Sequence, residues 1–208
     1  MHPQAPRRTT HAYGTPVNRL VYDRWGQFGR PVVLLHGLLY DRTMWWPVAA
    51  ELGQSKNRGS TCSVLAVDLP GHGDSAPRGD HGLSTLAADL AVLINRLDLH
   101  RAPVLVGHGE SALLAEAFAA EYATKAVLTV DEPPGDLPET VEQHLATADL
   151  DAVPELYRQF AVPRRDVALL HSYRSWFGKK KRDRKVSRAG FPHLSAPASF
   201  ATNLRALL

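Results

Sequence analysis

Four apolar runs, each followed by a turn and separated by helical stretches, constrain this fold more than any other feature. Strands that are apolar throughout are typical of a parallel sheet with both faces covered. Apolar residues at helical spacing between the runs supply the covering helices. The sequence therefore predicts an α/β fold with a mostly parallel sheet and helices on both faces. The predicted strands lie in residues 31–37, 62–75, 102–109 and 125–135, and the helices in residues 42–52, 83–99 and 110–123.

The alternation of strands and helices stops after residue 135. Two or three helices with no strand between them are predicted over residues 137–177, and a closing helix begins at about Ala196. A further strand is predicted near the start of the core, over residues 19–25. The predicted organisation is a flexible arm (1–15), an α/β core (16–135), a helical cap-like segment (136–178), and a basic loop with a C-terminal core helix (179–208).

Composition places the chain among ordinary globular domains. It has 208 residues, 44% hydrophobic and 22% charged, which suits one domain with a sizeable core. No apolar run approaches the roughly 18–20 residues that span a bilayer. Residues 1–14 lack the apolar stretch of a secretory signal, so a cytoplasmic protein is expected.

Neither a metal nor another cofactor is predicted. Cys62 is the only cysteine, which excludes an internal disulfide and a cysteine-based metal cluster,. The ten histidines show no metal-ligand spacing,. The glycines at residues 107 and 109 come without the lysine of a phosphate loop and without the third glycine of a dinucleotide-binding fingerprint.

Positive charge is concentrated in one segment. Residues 158–188 hold 11 of the 24 lysines and arginines and 2 of the 21 acidic residues, and the run 179–185 is the densest part. Such a run can attract nucleic acid or an anionic membrane. Because no aromatic stacking platform or groove-reading helix accompanies it, a solvated loop is favoured and nucleic acid is not an expected partner.

The stretch VLVGHGESALLAEAF, residues 104–118, predicts a buried strand, a tight glycine turn and a helix,. Enzymes present a nucleophilic serine on such a bend. Here the residue at the apex is Gly109, which has no oxygen for an attack but reaches positive φ without a Cβ clash,. We expect the bend to be kept while the nucleophile is absent.

Five blocks of the chain resemble, in the same order, the α/β-hydrolase superfamily of the esterase, lactonase and C–C hydrolase type. The resemblance implies the α/β-hydrolase fold with a small helical cap. It also implies a shortened member, because the late strand that normally carries the catalytic acid is not visible. The blocks are VVLLHGLLYDRTMWWPVAAEL (32–52), VDLPGHGDS (67–75), VLVGHGESALLAEAF (104–118), VLTVDEPP (127–134) and AGFPHLSAPASFATNLRALL (189–208).

The resemblance identifies the nucleophile elbow as degenerate. In the family's G-x-S-x-G pattern, Gly109 stands in the place of the serine and Ser111 in the place of the last glycine,. Ser111 would lie on the first helical turn, displaced from the apex and pointed elsewhere. A structural role is therefore expected for Ser111, although it lines the same region as the elbow.

The family's oxyanion pocket is expected to be retained. The resemblance implies that the N–H of Leu38, after His36 and Gly37, is one donor and that the N–H of Glu110 is the other. The positive end of the following helix would add to this pocket for negative charge. The Glu110 carboxylate is either near the site or a solvent-facing residue favoured by the helix dipole.

The family's base and acid are both altered. Its Gly-His dipeptide is replaced by Gly190-Phe191, and His193 lies two positions late. Either the base was deleted or His193 has moved into its role. Asp131 stands where some members place an alternative acid, and a turn-forming aspartate is an equal interpretation. The candidate proton-transfer residues are therefore His193, Asp131 and Glu110.

Several functions stay open at this point. A non-hydrolytic catalyst of the cyclase, isomerase or lyase type, or an inactive homologue, is favoured by the retained pocket beside a missing serine. A non-catalytic ligand-binding or partner-binding protein is one alternative, and weak ester or lactone hydrolysis by an activated water is another. The expected ligand is a small organic carbonyl or carboxylate compound. If apolar residues of the cap-like segment are exposed, they would favour a homodimer.

Overall fold

A six-stranded sheet lies at the centre of the computed structural model, which describes residues 7–53, 62–131, 133, 136–146, 148–177 and 190–208. The strands are β1 (Thr9–Tyr13), β2 (Leu20–Trp25), β3 (Arg30–Leu35), β4 (Cys62–Val67), β5 (Val104–His108) and β6 (Ala126–Val130). Their order in the sheet is β1-β2-β4-β3-β5-β6.

The four strands from β3 to β6 are parallel. β1 pairs antiparallel with β2, and β2 pairs antiparallel with β4 at one side of the sheet. In the centre, Val33 of β3 pairs with Leu65 of β4 and with Leu105 of β5. These three side chains are at most 1% exposed, as expected for strands covered on both faces. The predicted α/β fold with a mostly parallel sheet is confirmed.

Helices cover both faces of the sheet. α2 and α3 pack on one face, where Leu90 and Phe118 meet Val33. α1 and α8 pack on the other, where Val48 and Leu204 join the apolar core. The helices are α1 (Trp46–Gly53), α2 (Leu83–Asn95), α3 (Ser111–Glu121), α4 (Val141–Leu145), α5 (Glu155–Arg158), α6 (Val167–Ser172), α7 (Pro192–Ser195) and α8 (Pro197–Arg205), with 3-10 turns at Arg42–Trp45, Gln159–Ala161 and Arg174–Trp176.

A buried ion-pair network fixes the chain just after β3. The guanidinium of Arg42 pairs with the carboxylates of Asp23 (3.2 Å), Asp68 and Asp74 (2.8 Å). Asp68 follows β4 directly, and its carboxylate also accepts the backbone N–H of Arg42 at 2.7 Å. The network therefore ties the segment after β3 to the end of β4, and removing its cation would leave buried carboxylates uncompensated.

The N-terminal segment differs from the prediction. Residues 9–13, predicted within a flexible arm, form β1, and the hydroxyl of Thr10 donates to the Asp23 carboxylate at 2.6 Å. This strand has no clear sequence signal because it is mostly exposed and carries polar side chains on both faces. Residues 1–6 and the basic run 179–185 lie outside the described residues.

The end of the sheet agrees with the expected shortening. In the part of the chain that the structure describes, no strand follows β6, and the predicted cap-like segment contains α4, α5 and α6. None of the helices within these described ranges is long and apolar enough to cross a membrane.

Candidate functional site

Gly109 occupies a sharp bend between β5 and α3. Its φ is +55°, in the left-handed region that glycine adopts without a Cβ clash. The N–H of Gly109 donates to the carbonyl of Val130, at the end of β6, at 2.9 Å. Apart from its chain neighbours, no described residue comes within 4 Å of the position that a Cβ would take. The apex of the bend is therefore clear of the described residues where a nucleophile would stand.

Ser111, two residues after the apex, has its hydroxyl committed to the backbone. It is the first residue of α3 and is fully buried. Its Oγ donates to the carbonyl oxygen of His36 through a short hydrogen bond. This contact ties the first turn of α3 to the end of β3, and it directs the hydroxyl to a carbonyl and not to an imidazole.

His36 and Gly37 shape the loop after β3 without presenting a side chain to a ligand. The ring of His36 accepts the N–H of Leu69 on Nε2 at 3.0 Å and donates from Nδ1 to the carbonyl of Gly37 at 2.8 Å. Burial lowers the pKa of His36, which keeps Nε2 unprotonated as an acceptor,. At Gly37 a Cβ would lie 2.8 Å from Nδ1 of His108, so a side chain there would collide.

A second imidazole, in the loop after β4, has the same pattern of hydrogen bonds. His72 accepts the N–H of Leu39 on Nε2 at 3.0 Å and donates from Nδ1 to the carbonyl of Pro70 at 3.1 Å. Leu39 has a φ of +68°, which is strained for a residue with a branched side chain. The hydrogen bond to the buried ring of His72 holds Leu39 in this strained conformation, and it also fixes the position of the adjacent Leu38.

The carboxylate of Glu110 accepts the backbone N–H that the resemblance assigns to the oxyanion of a substrate. Its Oε2 accepts the N–H of Leu38 at 3.3 Å. Its Oε1 lies 3.4 Å from Nδ1 of His144 on α4. Nε2 of His144 lies 3.1 Å from the carbonyl oxygen of Leu38. Glu110, His144 and Leu38 therefore form a closed ring of contacts, with the two side chains 5% and 9% exposed.

The other nitrogen of His144 sets the orientation of its ring. A carbonyl oxygen only accepts, so Nε2 of His144 donates to the carbonyl of Leu38,. Nδ1 is therefore the ring atom that faces Oε1 of Glu110.

His193, a predicted base, lies in the core. Its ring is fully buried, 4.3 Å from the ring of Trp45 and 5.1 Å from that of His108 between centroids. Neither ring nitrogen has a hydrogen-bond partner among the described residues. Burial, and then the neighbouring His108, lower the pKa of His193 far below its usual value,. The ring is therefore neutral and packed against aromatic side chains.

Asp131, the predicted acid, meets the segment where the family places its base. Asp131 follows β6 with a φ of +64°, and its Oδ2 accepts the N–H of Gly190 at 3.0 Å. The carbonyl of Gly190 accepts from Nε2 of His108 at 3.0 Å. The next residue, Phe191, stacks on His108 at 5.2 Å. A Cβ on Gly190 would meet only Pro192, at 3.8 Å, among the described residues.

A separate cavity lies at the opposite edge of the sheet. It has a volume of about 260 Å³ and lies between the C-terminal ends of α2 and α3, against Ile94, Phe118 and Tyr122. Pro31 and Pro103, at the starts of parallel strands, also line it. The Gly109 site lies at the other ends of those strands, so the two are distinct. Within the described ranges, no group of three or more histidine, cysteine or acidic side chains is arranged to hold a metal.

Sequence comparison agrees with the fold. Residues 32–207 match the model of the alpha/beta hydrolase family. The chain belongs to the alpha/beta hydrolase family. The match begins in β3 and ends just after α8, so it includes every segment that carries the candidate site.

Curated relatives of this alpha/beta hydrolase match part of its length. A putative non-heme chloroperoxidase of Synechocystis sp. is 30% identical over 134 residues, which are 60% of this chain and 47% of that protein. The non-heme chloroperoxidase of Streptomyces lividans is 35% identical over 124 residues, or 55% and 42% of the two chains. An uncharacterized protein of Mycobacterium tuberculosis is 33% identical over 116 residues, or 55% and 30%. The chain spans less than half the length of these relatives.

Solved structures share the fold over nearly the whole chain. The thioesterase domain from the curacin biosynthetic pathway superimposes with a TM-score of 0.69 at 16% identity, covering 96% of this chain and 99% of that domain. An N-acyl homoserine lactonase superimposes with a TM-score of 0.64 at 18% identity, covering 96% of each chain. At these identities the likeness concerns the alpha/beta hydrolase fold alone.

His144 is the member of this alpha/beta hydrolase site that the sequence did not reveal. It lies on the five-residue helix α4, more than thirty residues after Glu110. A single histidine in a polar helical stretch carries no motif. Only the packing of α4 over the loop after β3 brings its ring to Leu38 and Glu110.

Proposed function

We propose that this alpha/beta hydrolase is a non-hydrolytic acid–base catalyst, of the cyclase, isomerase or lyase type, that acts on a small carbonyl compound. One observation carries the proposal: a buried carboxylate, Glu110, lies between the N–H of Leu38 and the ring of His144 beside the open apex at Gly109. A carboxylate, an imidazole and an amide donor are the groups that proton transfer next to a carbonyl needs.

The alternative of ordinary acyl transfer has little support. Gly109 brings no oxygen, and the hydroxyl of Ser111 donates to the carbonyl of His36. A nucleophile also needs a base oriented by an acid. His193 has no hydrogen-bond partner within the described residues and is packed on Trp45. A covalent acyl intermediate is therefore not part of the proposal.

The proposed reaction moves one proton. The substrate carbonyl oxygen takes the N–H of Leu38 in place of Oε2, while Glu110 keeps its contact with His144. The Glu110 carboxylate accepts the proton from the carbon next to the carbonyl, and the electron pair moves to the carbonyl oxygen as an enolate that the Leu38 N–H stabilises. Return of the proton to another carbon gives an isomer, and loss of a leaving group gives elimination. His144 acts as a positioning residue that holds the carboxylate.

Exchange of α-protons tests this proposal. 4-Phenyl-2-butanone would be incubated with the protein in D₂O, and the loss of its α-proton signals followed by NMR. We expect exchange above buffer, with Glu110→Gln slower by at least about tenfold, since positioned general bases typically contribute 10²–10⁴-fold. Glu116→Gln is the matched control, because Glu116 is an exposed glutamate on α3, the helix that Glu110 precedes. Equal rates for the protein and Glu110→Gln would reject the proposal.

A non-catalytic ligand-binding role is the second candidate. It is favoured by the Glu110 carboxylate, which already accepts the Leu38 N–H, so that a carbonyl compound bound beside it would not be polarised by this donor. In the same NMR experiment this role predicts ligand-induced line broadening with no exchange. Weak hydrolysis by an activated water predicts release of p-nitrophenol from p-nitrophenyl acetate, lost in Glu110→Gln.

A further inference from the structure

We propose that the Leu38 loop and His144 form a carboxylate-binding site, that the side chain of Glu110 occupies this site when no ligand is bound, and that the natural ligand of this chain carries a carboxylate. The inference rests on the same site as the proposed function but uses its contacts differently. In the proposed function the Leu38 N–H meets a carbonyl oxygen and Glu110 keeps His144, whereas here a ligand carboxylate takes both contacts in place of Glu110. The inference does not depend on proton transfer.

The contacts of Glu110 match a planar carboxylate on both oxygens. Oε2 meets a backbone N–H, that of Leu38 at 3.3 Å, and Oε1 meets an imidazole nitrogen, that of His144 at 3.4 Å. Polar contacts on both oxygens fix the plane and the position of a carboxylate, whereas a single carbonyl oxygen would use only one of these contacts. The receptor is itself fixed, because the other nitrogen of His144 is bound to the carbonyl of Leu38.

Burial makes this arrangement informative about a ligand. The Glu110 side chain is 5% exposed, and a buried carboxylate is retained only where polar partners compensate its lost hydration,. The open space at Gly109 adjoins it, since Glu110 is the next residue along the chain. A small carboxylic acid could therefore place its head group between Leu38 and His144 and its tail in front of the bend.

Only one carboxylate fits the site at a time. The Leu38 N–H and Nδ1 of His144 are each a single contact, and two carboxylates side by side repel,. An external carboxylate must therefore displace Glu110 in the native chain, which weakens its apparent affinity. Shortening the side chain at position 110 removes the internal competitor and leaves the Leu38 N–H and the His144 ring in place.

Acetate is the probe for this site. In the full chain with Glu110→Ala, about 100 mM sodium acetate should raise the Tm by about 3–5 °C relative to sodium chloride at equal ionic strength. The native chain and Glu110→Gln, whose amide still fills the site, should shift by less than about 1 °C. Adding His144→Phe to Glu110→Ala should abolish the acetate response. Adding His171→Phe is the matched control, because His171 lies on α6 and its ring contacts the carbonyl of Glu139.

A second variant keeps the test decisive if Glu110→Ala is unstable. Glu110→Asp keeps a favourable residue before α3 but withdraws the carboxylate by one methylene from Leu38. It should show the same acetate response with a smaller amplitude. An equal response to acetate and chloride in both variants, or a response that survives His144→Phe, would overturn the proposal. Acetate binding without ketone exchange keeps this inference and rejects the catalytic proposal, while exchange without acetate binding does the reverse.

Discussion

Acidification should unfold this protein through its buried histidines. The pKa of His36, His72, His108 and His193 is lowered in the folded chain, mainly by burial. For His108 the folded pKa is about 4, against an ordinary value of 6.5. The unfolded chain therefore takes up this proton first as pH falls, so the stability it contributes is complete above pH 6.5 and is lost between pH 6.5 and 4.

The expected size follows from the pKa of His108. A displacement from 6.5 to about 4 corresponds to about 3 kcal/mol at pH 4, and to about 2 kcal/mol at pH 5,. A domain of this kind has a total unfolding free energy of about 5–15 kcal/mol. Because three further imidazoles shift in the same direction, most of that stability should be gone near pH 4.5.

Urea unfolding followed by tryptophan fluorescence at pH 8, 7, 6 and 5 measures this loss. His193→Leu should give a shallower pH dependence and raise the unfolding free energy at pH 8 by about 1–2 kcal/mol, since it removes two buried ring nitrogens without described partners,. His100→Gln is the control and should leave the curve unchanged, because its ring is 82% exposed. A free energy of unfolding that stays constant between pH 7 and 5 would refute the reasoning.

Four further substitutions, two of them combined in one variant, test individual contacts. Gly109→Ser should fold with a loss of roughly 1 kcal/mol of unfolding free energy from the positive φ. Combined with Gly190→His, which places an imidazole beside the Asp131 carboxylate, it should hydrolyse p-nitrophenyl acetate at least tenfold faster than either single variant. No gain in the double variant would show that Asp131 cannot serve as the acid. Ser111→Ala should lower the unfolding free energy by about 1–2 kcal/mol in urea titrations, because the His36 carbonyl loses its donor,; an unchanged midpoint would contradict this contact. Arg42→Met should cost about 3–5 kcal/mol, since Asp23 and Asp68 lose their buried cation,, and a thermal melt within 2 °C of the native chain would exclude that role.

The central fold could be predicted from the sequence because its signals are local. Strands β3 to β6 are apolar on both faces, and each is followed by residues that turn the chain. β1 could not be predicted in this way. Its polar residues are stabilised by pairing with β2 and by the contact of Thr10 with Asp23, which are fifteen residues or fewer apart but leave no periodic pattern.

The main-chain geometry of the candidate site could be predicted from the sequence, but its side-chain contacts could not. The bend at Gly109 and the loop ending at Leu38 follow from motifs whose geometry belongs to the main chain. Where side chains point was not predictable. The same residues allowed His193 to face a pocket, but its ring is in the core beside Trp45. They also allowed Glu110 to face solvent, but its carboxylate meets Leu38 and a histidine from α4.

The anchor of the bend at position 109 consists of main-chain atoms alone. Its N–H donates to Val130 whatever side chain the residue carries, and the space ahead of it accepts a small group without repacking. A hydroxyl can therefore be present or absent at this position while the main-chain anchor stays the same. The geometry of the bend is in this sense separable from the chemistry of the side chain at its apex.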